Sequence, residues 1–92
     1  MDKNFLNRVY CAARYKDWDL LGGIEFKNKV LKIIDSIPDE QIKFVMYYRY
    51  ICGDKFDLIA KKMGVTYQYV WKLHKNGVQT FDKLFENAYN YK

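Results

Sequence analysis

The stretch "FDLIAKKMGVTYQYVWKLHK", Phe56 to Lys75, decides how the rest of the chain is read. Its apolar positions Ile59, Met63, Val65, Val70 and Leu73 recur at helical spacing. A small residue, Ala60, sits where a second helix would have to approach the first. Gly64 supplies the left-handed conformation that ends a helix, and Thr66 is an N-cap for the next. Two short helices that cross steeply through a tight turn need these residue types in this order. The pattern predicts a helix-turn-helix, with an ordinary helical hairpin as the bland alternative.

Helical periodicity continues on both sides, and no stretch has a convincing period of two. Phe5, Leu6, Val9, Tyr10 and Ala13 predict a helix over about Lys3 to Lys16. Gly22-Gly23 predicts a break, with Asp17 or Asp19 as a cap for the next element. Ile24, Leu31 and Ile34, flanked by Phe26, Val30, Ile33 and Ile37, form the stripe of a second helix. Pro38 fits the first turn of a third, with Asp39 and Glu40 at its positive end. That helix should run to about Cys52, with Phe44, Val45, Tyr48 and Cys52 inward, Gly53 ending it and Asp54 capping the next. After Gly77 the pattern resumes with Phe81, Leu84, Phe85 and Ala88. Gly77 itself reads either as a close-packing position or as a kink.

The expected fold is therefore all-α: a compact bundle of about five helices and a single globular unit. Residues 1-35 supply N-terminal helices that complete the core or form a dimer interface, and residues 36-92 carry the helix-turn-helix and a C-terminal helix. A chain of 92 residues has room for one modest core and no separate catalytic domain.

Composition bounds the function. The net charge is +5, and the surplus lies in residues 1–35 and 54–92, whereas residues 36–53 are neutral. A mildly basic domain is compatible with a polyanionic partner. Aromatic residues make up 18% of the chain, with nine Tyr, six Phe and two Trp, more than a small core can hide. Cys11 and Cys52 stand alone and read as reduced, buried thiols of a cytoplasmic protein. No apolar run has signal-peptide character or membrane-spanning length. With one His, no phosphate-cradling glycine loop and no metal-ligand spacing, neither an enzyme nor a cofactor or metal site is expected.

The segment from Ile37 to Phe85 resembles region 4 of the sigma-70 family. The matching features are Ile37-Pro38, Arg49-Tyr50 before Gly53, Ile59-Ala60, Met63-Gly64-Val65 and Leu73-His74-Lys75. Tyr67, Gln68 and Tyr69 depart from the small polar residues usual at the start of the second helix. Nothing before residue 35 resembles other sigma regions. The chain is thus most similar to the small sigma-region-4-like transcriptional regulators of phages and prophages, of the autolysin-regulator type. That resemblance implies a DNA-binding function.

Within the second helix, Tyr67, Gln68, Trp71, Lys72 and Lys75 project away from the Val70 and Leu73 face. A major groove admits such a helix. Gln68 is the candidate for an adenine edge, Lys72 for guanine, and Tyr67 or Trp71 for thymine methyl groups. Lys75 and His74, with Thr66, are candidates for phosphate contacts, as are Lys55, Lys61 and Lys62 along the preceding helix. The expected partner is double-stranded DNA, read by a monomer or a homodimer. Two other readings remain open: a protein-interaction module for RNA polymerase, a sigma factor or another host protein, and a small phage DNA-packaging subunit.

Overall fold

The computed structural model describes residues 4–89, and among them there are five α-helices, one 3-10 turn and no strand. Helix α1 (Phe5–Arg14) buries Leu6, Val9 and Ala13 of the expected stripe and Ala12 beside them, while Phe5 and Tyr10 are half-buried. It ends through Lys16, a left-handed residue at φ 54°. A 3-10 turn (Trp18–Leu21) then leads to Gly22-Gly23. Asp17 precedes that turn, but its side chain makes no capping bond.

Helix α2 (Ile24–Asp35) buries Val30, Ile33 and Ile34. Ile24 was expected in this stripe, yet it is 63% exposed, because it opens the helix beyond the edge of the core. Helix α3 (Glu40–Tyr50) is capped by Asp39, whose Oδ1 accepts a hydrogen bond from the Ile42 N–H at 3.0 Å. Pro38 therefore lies just before the cap and not in the first turn. The aspartate carboxylate takes the position that satisfies a free helix amide.

The inner face of α3 differs from the expected one. Val45, Met46 and Tyr50 are buried, whereas Phe44 is 45% exposed and Cys52 lies exposed on the loop beyond the helix. The reason is that α3 is covered on two sides. Met46 and Tyr50 enter one hydrophobic cluster with Leu6, Val9, Val30, Ile33, Ile34, Ile37 and Phe81. Val45 enters a second with Phe56, Ile59, Ala60, Val70 and Leu73. A helix packed on both flanks shows no single apolar stripe. Cys11 is also exposed, on the outward side of α1, so neither thiol is the buried group expected.

Gly53 follows α3 at φ 74° and lies against α1: a Cβ there would stand 2.5 Å from the Arg14 Cα. Helix α4 (Phe56–Met63) starts after Lys55, which gives it no side-chain cap. Asp54, the expected cap, instead bonds Lys62 Nζ at 2.6 Å. Gly64, at φ 69° and ψ 35°, ends α4. Helix α5 (Tyr67–Tyr89) then runs unbroken for 23 residues, about 34 Å at 1.5 Å per residue. It passes through Gly77, where a Cβ would meet Met46 Sδ at 2.6 Å. Gly77 is thus a close-packing position and not a break. Val70 and Leu73 on one side of it join the second cluster, and Phe81 on the other joins the first.

Gly53 and Gly64, both at positive φ, should respond differently to substitution. Gly64→Ala meets nothing within 4 Å and should cost only the left-handed penalty, roughly 1–2 kcal/mol. Gly53→Ala adds overpacking against the α1 backbone of roughly 1–3 kcal/mol and should be clearly the more damaging in urea unfolding.

Candidate functional site

The turn between α4 and α5 is fixed by its own backbone. The Val65 N–H bonds the Ala60 carbonyl at 3.1 Å, and Gly64 N–H bonds that of Lys61 at 3.3 Å. Thr66 Oγ1 then accepts from the Tyr69 N–H at 3.1 Å, so Thr66 is the N-cap of α5 as expected. The hydroxyl proton of Thr66 remains free to donate outward. Tyr69 is half-buried and its hydroxyl donates to Gln41 Oε1 at 2.7 Å, tying the start of α5 to the start of α3.

Burial of Val70 and Leu73 turns the opposite side of α5 to solvent. Tyr67 and Trp71 are each 46% exposed, and Gln68, Lys72 and Lys75 are exposed beside them. These five positions follow a helical stripe and form one continuous face. Lys55, Lys61, Lys72 and Lys75 make no salt bridge with any described residue. Lys62 differs: its ammonium is bound by Asp54 and lies 4.8 Å from the Tyr48 ring centre. It is committed within the molecule, which removes it from the expected set of phosphate-facing cations.

Beneath the face lies an aromatic cluster that sequence reasoning did not find. Phe56 packs on Trp71 with ring centres 4.7 Å apart and on His74 at 4.9 Å. Trp71 meets His74 edge-on at 5.7 Å. The Arg49 guanidinium lies between the Tyr10 ring at 3.6 Å and the Phe56 ring at 3.9 Å, and Nη1 donates to the Asp54 carbonyl at 3.2 Å. Tyr50 Oη and His74 Nε2 share a hydrogen bond of 2.7 Å. With both groups neutral, the phenol donates and the imidazole accepts.

His74 therefore does not take the phosphate-facing place expected of it. Burial, aided by the nearby Arg49 charge, lowers its pKa from 6.5 to about 4. Burial likewise pushes Tyr50 up to about 12, against a smaller downward pull from Arg49. A neutral imidazole bonded to a buried phenol supports Trp71 from below and offers no charge to a polyanion. Arg49-Tyr50 was visible in the sequence as a pair before Gly53, but its link to His74 spans 24 positions.

Beyond Trp71 the face continues into an open, shallow apolar depression of about 590 Å³, lined by Trp71, Lys72, His74, Lys75, Val78 and Gln79. Among the described residues no group of three His, Cys, Asp or Glu side chains is placed to hold a metal. Among them, too, no helix is long and apolar enough to cross a membrane. No protein-family model, no curated protein and no solved structure matches this chain.

The lowered His74 pKa has a stability consequence. The unfolded chain takes up this proton near pH 6.5 and the folded chain only near pH 4, so acid favours unfolding across that window. Stability should fall by up to roughly 3 kcal/mol as the pH drops from about 6.5 to about 4. His74→Gln should be less stable at neutral pH and lose that part of the pH dependence in parallel denaturant titrations.

Proposed function

We propose that this chain is a sequence-specific, double-stranded-DNA-binding transcriptional regulator of the sigma-region-4-like kind, cytoplasmic and of phage or prophage origin. In this reading α4 and the first half of α5 are a helix-turn-helix, and residues 67–75 enter the major groove. The observation that carries it is the outward face of α5: Tyr67, Gln68, Trp71, Lys72 and Lys75 are all exposed on a helix whose start is fixed by Gly64 and Thr66.

The dimensions and chemistry suit that task. A helix about 10–12 Å across fits a groove about 12 Å wide. Gln68 carries the donor and acceptor needed for an adenine edge, and Lys72 can reach guanine O6 and N7. Tyr67 and Trp71, with ring centres 6.5 Å apart, present apolar surface to thymine methyl groups. Lys55, Lys61 and Lys75, unpaired with described carboxylates, and the Thr66 hydroxyl would meet phosphates. A homodimer would read two half-sites about one helical turn apart.

The two half-exposed rings and the apolar depression beside Trp71 also favour a second reading, in which this face grips RNA polymerase or another transcription protein. Fluorescence anisotropy with a pool of labelled duplexes across a salt series separates the two. Wild type should bind with affinity that falls steeply with salt, and Lys72→Ala/Lys75→Ala should weaken binding and flatten the log–log slope by about 2. Absence of duplex binding at low salt, with retention on a polymerase column, would replace the DNA reading by the second.

A further inference from the structure

Helix α1 is linked to the same face through packed side chains. Gly53 lies directly against the backbone of Ala13 and Arg14, and Arg14 Nη1 donates to the Gly53 carbonyl at 3.4 Å. One turn earlier on α1, Tyr10 stacks on Arg49, whose other side meets Phe56, and Phe56 in turn packs on Trp71. The end of α1, the loop that carries Lys55, and the exposed face of α5 are therefore joined by consecutive contacts.

The charges at this edge are unbalanced. Arg14 is exposed, and its one side-chain bond among the described residues goes to a backbone carbonyl. A guanidinium has five N–H donors, so four remain. Lys55, two residues beyond Gly53, is exposed and pairs with no described carboxylate. Of the carboxylates flanking Lys55 in sequence, Asp54 is bonded to Lys62, and Asp57, whose Oδ1 accepts from the Leu58 N–H at 3.0 Å, pairs with neither Arg14 nor Lys55.

We infer that the C-terminal end of α1 makes a second contact with duplex DNA, in which Arg14 and Lys55 grip one phosphodiester strand at the rim of the groove that α5 enters. The inference rests on the DNA-binding reading of α5 and adds to it a site outside both α4 and α5. Arg14 supplies planar donors that match phosphate oxygens, and Lys55 supplies a point charge. The contact is to the backbone, so it fixes orientation and adds affinity without reading sequence. It also gives the N-terminal helices a role beyond completing the core.

The test uses the full chain in anisotropy titrations against several unrelated duplexes over a salt series. Arg14→Gln and Lys55→Gln should each weaken binding by about three- to tenfold, equally for every sequence, and flatten the salt slope by about 1. Lys32→Gln, the same change in net charge on α2, should leave affinity and slope at wild-type values. Arg14→Lys should restore the slope, since it keeps the charge that Arg14→Gln removes. Arg14→Gln and Lys55→Gln indistinguishable from Lys32→Gln would overturn the α1 contact while leaving the α5 reading standing if Lys72→Ala/Lys75→Ala still binds weakly. An Arg14→Lys variant whose salt slope stays as flat as that of Arg14→Gln would show that the charge at this position meets no phosphate and equally overturn the contact. No duplex binding by wild type would overturn both.

Discussion

The close approach of α5 to α3 at Gly77 holds the molecule together. A Cβ here would stand 2.6 Å from Met46 Sδ and 3.1 Å from Ile42 Cγ2, so any larger residue would have to displace the Met46 side chain. That contact places one half of α5 in each hydrophobic cluster, with Val70 and Leu73 on one side and Phe81 on the other. The glycine costs about 1 kcal/mol of helix propensity relative to alanine. What it gains is a single rigid helix spanning both clusters, so the exposed residues near its start are held by burial along its whole length.

A second layer of constraint fixes the face itself. Phe56, His74 and Tyr50 support Trp71 from the inside, and the Arg49 guanidinium ties that support to Tyr10 on α1. Burying an arginine among rings is costly unless its donors are used and its faces are covered; here both faces are covered and Nη1 bonds the Asp54 carbonyl, but the buried Nε has no hydrogen-bond partner among the described residues. The outward side of α5 thus stands on a packed platform built from α1, α3 and α4. Side chains presented in this way lose less rotamer entropy when a partner binds.

The local chemistry of the α4–α5 turn was legible in the sequence because each requirement falls on one residue within a short window: Ala60 for approach, Gly64 for the left-handed turn, Thr66 for the cap. The exposed stripe from Tyr67 to Lys75 followed from the same periodicity. The features that were not legible depended on contacts between distant elements. The stripe assigned to α3 held at Val45 but failed at Phe44 and Cys52 and missed Met46 and Tyr50, because that helix is covered on two flanks and periodicity sees only one. His74 looked like a surface cation, yet its environment is set by Tyr50 and Arg49, which only the fold brings beside it. Asp54 reads as a cap from its place after Gly53, but the fold brings Lys62 to it and the ion pair prevails. Pro38 and Asp39 competed for the same helix start, and the residue with a side-chain acceptor took the cap.

The most direct test of DNA reading by α5 is a map of backbone amide chemical shifts on titrating the labelled protein with a short duplex. A reader built on this helix predicts salt-sensitive shifts concentrated at residues 66–76, continuing to Lys55 and the end of α1. Shifts confined to α2 and the C-terminal half of α5, or none at low salt, would contradict it.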